Sequence, residues 1–356
     1  MDKITIGLLL PSSTIFPIAK EFEKGLKEGL KPLSANNIEV DIIKEFIGQG
    51  DFKLVEKGCN KFYDYDEVDL VTGFVSNNVA RDLAEKIKTH KKPFVVNNMG
   101  DHVPGAPALN EYIYLNGPHL WQHAYTLGHW GVSTFGKKGM YISSVYDAGY
   151  GFSQMFHVGM MTADASAEWS FSVPPMPLPG ELSNMDVIFP FLEQYQPDFI
   201  FATFCGAETT LFLNELIARG WHKKTKILGL PYLLAPFAPL NDDITVYTTQ
   251  LFTPAVEPAK LFYHLGLQTG QSIAGAAATA GNLQAELLKL NAIFNIAGHF
   301  TGDEKLTILK HDIKAGEAAI TTIPVTQWET FGLDPEKIAP LTAGASAGWT
   351  NPYLAI

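Results

Sequence analysis

The sequence predicts an α/β fold of two Rossmann-like, doubly wound lobes joined by a hinge that the chain crosses more than once. The first third of the chain alternates apolar, strand-like runs with amphipathic helical segments, and a second unit of similar size repeats this alternation after residues 112–118. A length of 356 residues also exceeds the size at which a single core usually stops growing. Because helical segments return late in the sequence, we expect several crossovers and a cleft between the lobes.

The first unit is predicted from strand-like runs separated by helical segments. The strands are predicted at residues 4–10, 38–46, 70–74 and 93–98, and the helices at residues 16–31, 52–63 and 79–90. The first helix has apolar side chains at helical spacing, at Phe16, Ala19, Phe22, Leu26 and Leu30. Residues 76–78, Ser-Asn-Asn, are good helix caps and are expected to open helix 79–90. Such alternation favours a parallel sheet with helices on both faces.

The second unit follows the same pattern. Its helices are predicted at residues 120–130, 151–161, 187–194 and 209–220, and its strands at residues 139–145, 167–173, 198–204 and 226–230. Residues 244–251 then lead into helices 255–270 and 273–296, and short extended pieces follow at 306–311 and 319–328. We predict an N-terminal lobe of residues 1–117 plus about 252–300, and a C-terminal lobe of residues 118–251 plus about 301–356.

Composition and charge restrict the class of protein. Hydrophobic residues make up 46% and charged residues 18% of the chain, which is typical of globular proteins. The formal net charge of −11 argues against a nucleic-acid partner, because phosphate binding requires a basic surface. No apolar run approaches the roughly 20 residues of a membrane span, so no membrane insertion is expected. Residues 3–10 resemble a strand more than a secretion signal, which leaves either a cytoplasmic protein or one whose signal has been removed.

The two cysteines, Cys59 and Cys205, lie far apart and match no metal-binding or redox spacing. One long-range disulfide is an alternative to two buried free thiols, and the thiols are the better interpretation. Cysteine usage therefore leaves the cellular compartment open.

Two segments resemble catalytic motifs but lack a required part. Residues 131–138 resemble a phosphate-binding loop, yet Lys138 stands where Ser or Thr would bind magnesium, and the segment precedes a predicted strand instead of following one. Residues 344–348 have the spacing of a nucleophile elbow, but no histidine follows Ser346 and no hydrophobic strand leads into it. Neither segment supports an enzyme.

Metal and dinucleotide chemistry are also poorly supported. His119 and His123 lie one helical turn apart, but no Glu-x-x-His or cysteine partner adjoins them, so a capped, partly exposed helix is favoured over a metal site. No glycine-rich GxGxxG motif follows a predicted strand. We therefore predict no catalysis, no cofactor and no bound metal.

Polar turns follow predicted strands in both units, at residues 12–14, 76–78, 97–99, 146–150 and 205–208. Open α/β sheets bind ligands beyond the carboxyl ends of their strands, and unpaired helix N–H groups there can receive a carboxylate or carbonyl oxygen. For any single turn, capping of its own helix explains the polar residues equally well. Five such turns in two lobes favour a shared ligand-binding cleft.

A family resemblance rests on the order and spacing of seven segments. They are residues 4–11, 71–78, 91–96, 136–142, 147–151, 196–201 and 213–220. With these segments, the chain resembles the type I periplasmic-binding fold along essentially its whole length. Within that fold it is similar to the branched-chain amino-acid and amide-binding (Leu/Ile/Val-binding-like) receptors of the ABC transporter substrate-binding family.

The resemblance implies a receptor that closes its two lobes around a small organic ligand for ABC import. The implied ligand is an amino acid, an amide or a carboxylate-like molecule, with a larger or more apolar one as a further option. The resemblance also implies a periplasmic or extracytoplasmic location, an ABC permease as partner and a monomeric receptor. A cytoplasmic ligand-sensing regulator on the same fold is the alternative.

The resemblance further assigns residue roles. The turn at residues 76–78 matches the one that binds the ligand's carboxylate or polar head, and Tyr150 matches an aromatic residue that covers the ligand. Glu208 matches the region that supplies an acidic partner for an amino group; its alternative role is a first-turn acid favoured by the helix dipole. The full predicted ligand-binding set is Ser12, Ser13, Phe16, Ser76, Asn77, Asn78, Asn97, Asn98, Tyr146, Tyr150, Cys205, Glu208 and Tyr232.

Departures from the family pattern argue against simple amino-acid specificity. The amides Asn97 and Asn98 replace small or hydroxyl residues, and Cys205 replaces a glycine. No second cysteine lies near Cys59 to form the first-lobe disulfide, and the tyrosine that often precedes the late helix is missing from residues 276–282. A larger or less polar pocket is expected from the nearby aromatic residues Phe16, Tyr146, Tyr150 and Tyr232.

Overall fold

A computed structural model describes most of the chain, namely residues 3–12, 17–100, 109–145, 151–178, 181–235, 238–250, 260–278 and 305–329. In these segments the chain forms one five-stranded and one seven-stranded β-sheet, each with helices packed against it. The predicted α/β fold of two doubly wound lobes is confirmed. No helix in the described segments combines the length and the apolar character needed to cross a lipid bilayer.

The five-stranded sheet is the core of the first lobe, and all its neighbouring strands are parallel. Its strands are β1 (Lys3–Leu10), β2 (Glu39–Phe46), β3 (Leu70–Phe74), β4 (Phe94–Asn97) and β5 (Ile113–Asn116), in the spatial order β2-β1-β3-β4-β5. Strand β5 falls in the segment that the sequence marked as a boundary between units. It spans four residues and pairs with β4, so its alternation is too short to stand out from the sequence.

The helices of the first lobe begin close to their predicted positions. They are α1 (Ile18–Ala35), α2 (Phe52–Asn60), which continues into a π-helical turn at Lys61–Tyr65, α3 (Asn77–Asp82) and α4 (Ala84–His90). The Ser76 hydroxyl accepts a hydrogen bond from the Val79 N–H at 3.3 Å, so the predicted cap is present. The single predicted helix 79–90 is instead two helices that meet at Leu83.

The seven-stranded sheet is the core of the second lobe. Its strands are β6 (Lys138–Ser143), β7 (Glu168–Ser172), β8 (Phe199–Thr203), β9 (Lys226–Gly229), β10 (Ile244–Thr249), β11 (Lys305–Ile313) and β12 (Ile320–Glu329), in the order β12-β11-β10-β9-β8-β6-β7. The strands from β6 to β10 pair in parallel, whereas β11 and β12 are antiparallel additions. The two short extended pieces predicted near the C-terminus are therefore long, paired strands that enlarge this sheet.

The helices of the second lobe are α5 (Leu120–Phe135), α6 (Phe152–Ala163), α7 (Phe189–Tyr195) and α8 (Ala207–Ala218). Of these, α5 and α6 pack tightly on each other. A Cβ on Gly159 of α6 would overlap the carbonyl oxygen of Tyr125 on α5, so only glycine fits this helix crossing. The prediction that the helix after His119 is partly exposed is wrong, because α5 is buried along its first twelve residues, 120–131. It lies between α6 and the seven-stranded sheet.

One late helix, α9 (Leu261–Ala278), packs along α1 of the first lobe. It runs without a break through the junction at which the sequence predicted two helices, and the rest of the second predicted helix lies outside the described residues. The chain thus visits the first lobe again after β10, and β11 then pairs with β10 in the second lobe. The numerical lobe boundaries stay predictions, since residues 251–259 and 279–304 are not described.

The apolar core crosses the junction between the lobes. One continuous cluster of buried side chains includes Phe22 of α1, Leu120 and Trp121 of α5, and Phe262 of α9. Cys59 and Cys205 are both buried and free, which confirms the interpretation as two separate thiols. Burial in an apolar environment raises the pKa of the Cys59 thiol to about 12, so this thiol is unreactive near neutral pH.

Candidate functional site

Buried polar side chains lie just beyond the carboxyl ends of parallel strands in both lobes. In the first lobe they include Ser76 and Asn77 after β3 and Asn98 after β4. In the second lobe they include Ser144 after β6 and Glu208 after β8. Ligands of open α/β sheets bind beyond these strand ends, so the two edges together form the candidate ligand site.

Asn97, the last residue of β4, is fully buried and engaged by protein groups on both sides of its amide. Its nitrogen donates to the Thr72 hydroxyl at 3.2 Å and to the Gly73 carbonyl at 3.1 Å. Its oxygen accepts from Asn116 Nδ2 at 2.9 Å and from the Thr269 hydroxyl at 2.7 Å. Asn97 therefore joins three strands to α9, a network that the sequence did not reveal.

Asn98 holds the turn that follows β3. Its Nδ2 donates to Asn77 Oδ1 at 2.7 Å and to the Val75 carbonyl at 3.2 Å. Its Oδ1 accepts from the Gly100 N–H at 2.8 Å. The polar strand ends of β3 and β4 are thus fixed relative to each other before any ligand binds, which lowers the cost of ordering the site.

Arg81 lies one helical turn after Asn78 and donates from its guanidinium to Asn78 Oδ1 at 2.9 Å. The chain has only one other arginine, Arg219, which forms ion pairs with Asp186 and Glu215. Arg81 forms no ion pair with the described residues, and its Nε is a buried donor without a hydrogen-bond partner among them. Arg81 is not among the residues predicted for the site, although its spacing from Asn78 places the two on one helix face.

Hydroxyl groups join the ends of β6 and β8 in the second lobe. The hydroxyls of Tyr141 and Thr203 are 2.8 Å apart, and the Ser143 hydroxyl donates to the Ser144 carbonyl at 2.7 Å. The Ser144 N–H donates to the Thr203 carbonyl at 3.0 Å. All four residues are buried, so this edge of the lobe is polar yet shielded from solvent.

Glu208 stands in the first turn of α8 and is only 5% exposed. Its Oε1 accepts from the N–H of Ser183 at 2.9 Å and from the Ser183 hydroxyl at 2.5 Å. Its Oε2 is buried and has no hydrogen-bond partner among the described residues. Glu208 therefore anchors the segment at Ser183 and keeps one carboxylate oxygen available as an acceptor.

Only some of the other predicted site residues lie in the described segments. Cys205 and Tyr232 are buried after β8 and β9, and exposed Ser12 donates its N–H to the Gly48 carbonyl at 2.6 Å. Four predicted residues lie outside the described segments, namely Ser13, Phe16, Tyr146 and Tyr150. The ligand-binding roles of the whole predicted set stay predictions.

Two histidines lie at the crossover from the first lobe into α5. His123 Nδ1 is 2.6 Å from the Thr249 hydroxyl at the end of β10. Burial lowers the pKa of His119 to about 4 and that of His123 to about 3, so both rings are neutral near neutral pH. The described part of the chain contains no group of three or more His, Cys, Asp or Glu side chains placed to hold a metal ion.

Solved structures share this architecture at low sequence identity. An ABC transporter substrate-binding protein from Sphaerobacter thermophilus is 16% identical with a TM-score of 0.69, covering 92% of this chain and 98% of its own. A solute-binding protein of an ABC transporter from Rhodopseudomonas palustris BisB5, in complex with 3,4-dihydroxybenzoic acid, is 14% identical with a TM-score of 0.66, covering 95% and 100%. A leucine-binding protein from Thermotoga maritima is 13% identical with a TM-score of 0.60, covering 90% and 97%. At such identities, the likeness shows the fold.

The family is shown by the sequence itself. No curated protein matches the chain in sequence. A family model described as periplasmic binding protein matches residues 3–263, well over half of the 356 residues. This match confirms the family that the sequence resembles and the predicted solute-binding function. The chain belongs to the periplasmic binding protein family.

Proposed function

We propose that this protein is the extracytoplasmic receptor of an ABC importer and that it closes its lobes around a small carboxylate. The observation that carries the proposal is the pair of buried, polar strand ends, one on each sheet. A ligand that contacts both edges at once favours the closed arrangement of the lobes over the open one. The protein binds and releases its ligand without chemical change.

The first lobe supplies groups suited to a carboxylate. The turn at Ser76, Asn77 and Asn78 carries short polar side chains, and Arg81 adds a positive charge that no acidic residue of the described chain neutralises. In a protein with a net charge of −11, a local positive charge offsets the general repulsion of an anion. Arg81 acts on the ligand through Asn78, whose oxygen it holds.

The second lobe offers an acceptor in place of a cation. Glu208 Oε2 is buried and without a partner among the described residues, so it gains free energy from a ligand N–H or O–H donor. A ligand with a carboxylate at one end and a donor at the other satisfies both lobes. Hydroxybenzoates and amino acids both have this pattern; the Rhodopseudomonas protein is in complex with 3,4-dihydroxybenzoic acid, and the Thermotoga protein is named a leucine-binding protein.

We favour a hydroxylated aromatic carboxylate over an amino acid. Asn97 and Asn98, which stand where similar amino-acid receptors have small or hydroxyl residues, direct their amides to protein groups and not to an amino acid. Buried aromatic residues such as Tyr232 lie beside the strand ends of the second lobe. An aromatic ring buries a large apolar area in such surroundings. The phenolic hydroxyl then donates to Glu208.

The test is a thermal-shift and calorimetric panel of 4-hydroxybenzoate, 3,4-dihydroxybenzoate, benzamide and leucine. A ligand at 100 times its dissociation constant adds about 2.7 kcal/mol to the free energy of unfolding, so a true ligand raises the melting temperature clearly. We expect the two hydroxybenzoates to bind and neutral benzamide not to bind. If only leucine bound, the proposed aromatic ligand would be wrong and the ligand would be an amino acid, whereas the proposed receptor function would still hold.

The two arginines provide a matched pair of variants. Arg81→Gln should weaken hydroxybenzoate binding about tenfold or more, because a charge-assisted contribution is lost. Arg219→Gln removes the same charge from the surface pairs with Asp186 and Glu215 and should leave affinity unchanged. Equal affinities in both variants would show that Arg81 has no part in holding the carboxylate.

The transport partner is tested separately from the ligand. We expect uptake of the radiolabelled ligand into proteoliposomes to require both an ABC permease from the same source and this protein. If uptake were equal without the protein, it would not be an import receptor, and the result would support the alternative function as a ligand sensor.

A further inference from the structure

The second lobe has a polar cavity at the edge of its sheet opposite to the candidate ligand site. Its volume is about 400 Å³. It lies where β9 and β10 begin, at Lys226 and Ile244, and where the antiparallel strand β11 ends, at Ile313. We call it the rear cavity. The carboxyl ends of β9 and β10 point away from it, so a ligand here does not belong to the cleft.

The rear cavity is lined by more positive than negative side chains. Its lining includes four lysines and two aspartates, in a protein whose overall charge is −11. Lys310 pairs with Asp312 at 2.9 Å and Lys314 with Asp243 at 2.7 Å. The remaining lining lysines are Lys223, which pairs with Asp242 at 3.2 Å, and Lys226.

The other three lining lysines are paired with aspartates, so Lys226 contributes the unpaired positive charge of the rear cavity. Lys226 is exposed at the first position of β9 and forms no ion pair with the described residues. A lysine ammonium is a compact point charge with three donors, which suits an anion that presents oxygens in several directions.

A buried polar atom next to Lys226 also lacks a partner. Thr225 is 4% exposed, and its hydroxyl oxygen has no hydrogen-bond partner among the described residues. The side chain of the neighbouring His222 is also only 4% exposed, but its Nε2 lies 3.5 Å from Asp242 Oδ2. The ring is held from its other side, with Nδ1 3.4 Å from the Leu216 carbonyl oxygen. Buried polar atoms without partners raise the free energy of the fold, and a ligand that pairs with them lowers it.

We propose that the rear cavity is a second binding site, for a small phosphate-type oxyanion. The Lys226 ammonium provides the neutralising charge, and the Thr225 hydroxyl donates one hydrogen bond. A tetrahedral anion offers oxygens to both groups at once and keeps further oxygens for water. The volume also accommodates a phosphate monoester with a small organic group beside Tyr247.

Calorimetric titration with inorganic phosphate at constant ionic strength, with chloride as the reference anion, tests the site. We expect saturable binding of one phosphate per chain, weakened about tenfold by Lys226→Ala and by Thr225→Val. The control is Lys224→Ala, because Lys224 lies over the Trp221 ring, 4.9 Å from its centroid, and does not line the cavity. Unchanged melting temperatures establish that the variants remain folded.

Three outcomes would overturn the proposal. They are the absence of saturable phosphate binding at millimolar concentration, equal weakening by Lys224→Ala and Lys226→Ala, and amide chemical shifts that move at the strand ends of the cleft instead of at Thr225 and Lys226. A second titration with glycerol phosphate identifies the source of the phosphate group. Tighter binding than free phosphate indicates a monoester ligand, and equal binding indicates the free ion.

Discussion

Gly266 of α9 faces the backbone of Phe22 on α1 so closely that a Cβ on the glycine would overlap the Phe22 carbonyl oxygen. The contact is reciprocal, because a Cβ on Gly25 of α1 would overlap the carbonyl oxygen of Tyr263 on α9. Backbone atoms cannot move aside as side-chain ends can. This crossing therefore fixes a helix from late in the sequence onto the first helix of the chain.

The substitution Gly266→Ala should destabilise the protein by about 3 kcal/mol or more, because the added methyl group forces the two helices apart. Gly275→Ala is the matched control in the same helix, since no atom of the described residues lies within 4 Å of a Cβ at that position. The control should stabilise the protein by up to about 1 kcal/mol through helix propensity. Urea denaturation measures both, and equal midpoints for the two variants would contradict the close crossing.

The crossing also shows what the sequence could and could not predict. Helical periodicity identifies α1 and α9 as helices, but it carries no information about their partners, which are more than two hundred residues apart. The cue that was available is the spacing of small residues, Gly25 with Gly29 and Gly266 with Gly270, four residues apart on each helix. Such spacing permits the close approach of two helix backbones, but it does not indicate which two helices pack together.

The candidate site was predictable in position but not in detail. Polar turns after β3, β4 and β8 were predicted from the change from apolar to polar residues, and in the structure they follow the carboxyl ends of these strands. The partners of Asn97 come from β5 and α9, and their approach depends on tertiary packing. The position of Asn97 at a strand end was therefore predictable from the sequence, but its hydrogen-bond network was not.

Asn97→Ala should cost about 3 kcal/mol of stability. The change leaves the Thr72 and Thr269 hydroxyls and the Asn116 amide without their shared partner in a buried place. Asn36→Ala, at an exposed helix end where the amide contacts only the Pro32 carbonyl, serves as the control and should cost well under half as much. Chemical denaturation of both variants provides the comparison. A small loss for Asn97→Ala would mean that water replaces the amide.

Glu208 and Ser183 allow stability and affinity to be separated. Ser183→Ala removes one donor to Glu208 Oε1 and should lower the free energy of unfolding by about 1 kcal/mol, with little effect on ligand affinity. Glu208→Gln keeps the shape of the side chain but replaces one acceptor oxygen by a donor. Its effect should appear as a loss of affinity of about tenfold for a hydroxybenzoate. Calorimetry measures the affinity and urea denaturation the stability of both variants. If Glu208 were purely structural, Glu208→Gln would lower the free energy of unfolding and leave the affinity unchanged.

Three histidines should make the stability of the protein depend on pH. Burial lowers the pKa of His123 to about 3, with a smaller contribution from His119, and burial lowers the pKa values of His119 and His311 to about 4. In the unfolded chain all three rings have the ordinary pKa of about 6.5. As the pH falls through 6.5 toward about 4, the unfolded state therefore binds more protons than the folded state, and stability decreases.

Each histidine should contribute a slope of at most about 1.4 kcal/mol per pH unit in this window. The ring nitrogens of His311 form hydrogen bonds with the hydroxyls of Thr248 and Thr322, and Nδ1 of His123 forms one with the Thr249 hydroxyl. Glutamine is therefore the substitution that best keeps these contacts. Urea denaturation between about pH 7 and pH 5, above the range where carboxylates titrate, measures the slope. His123→Gln and His311→Gln should each reduce it, and the double variant should reduce it by the sum, because the two rings bond to different residues. A slope that is unchanged in the double variant would show that the pH dependence arises elsewhere in the chain.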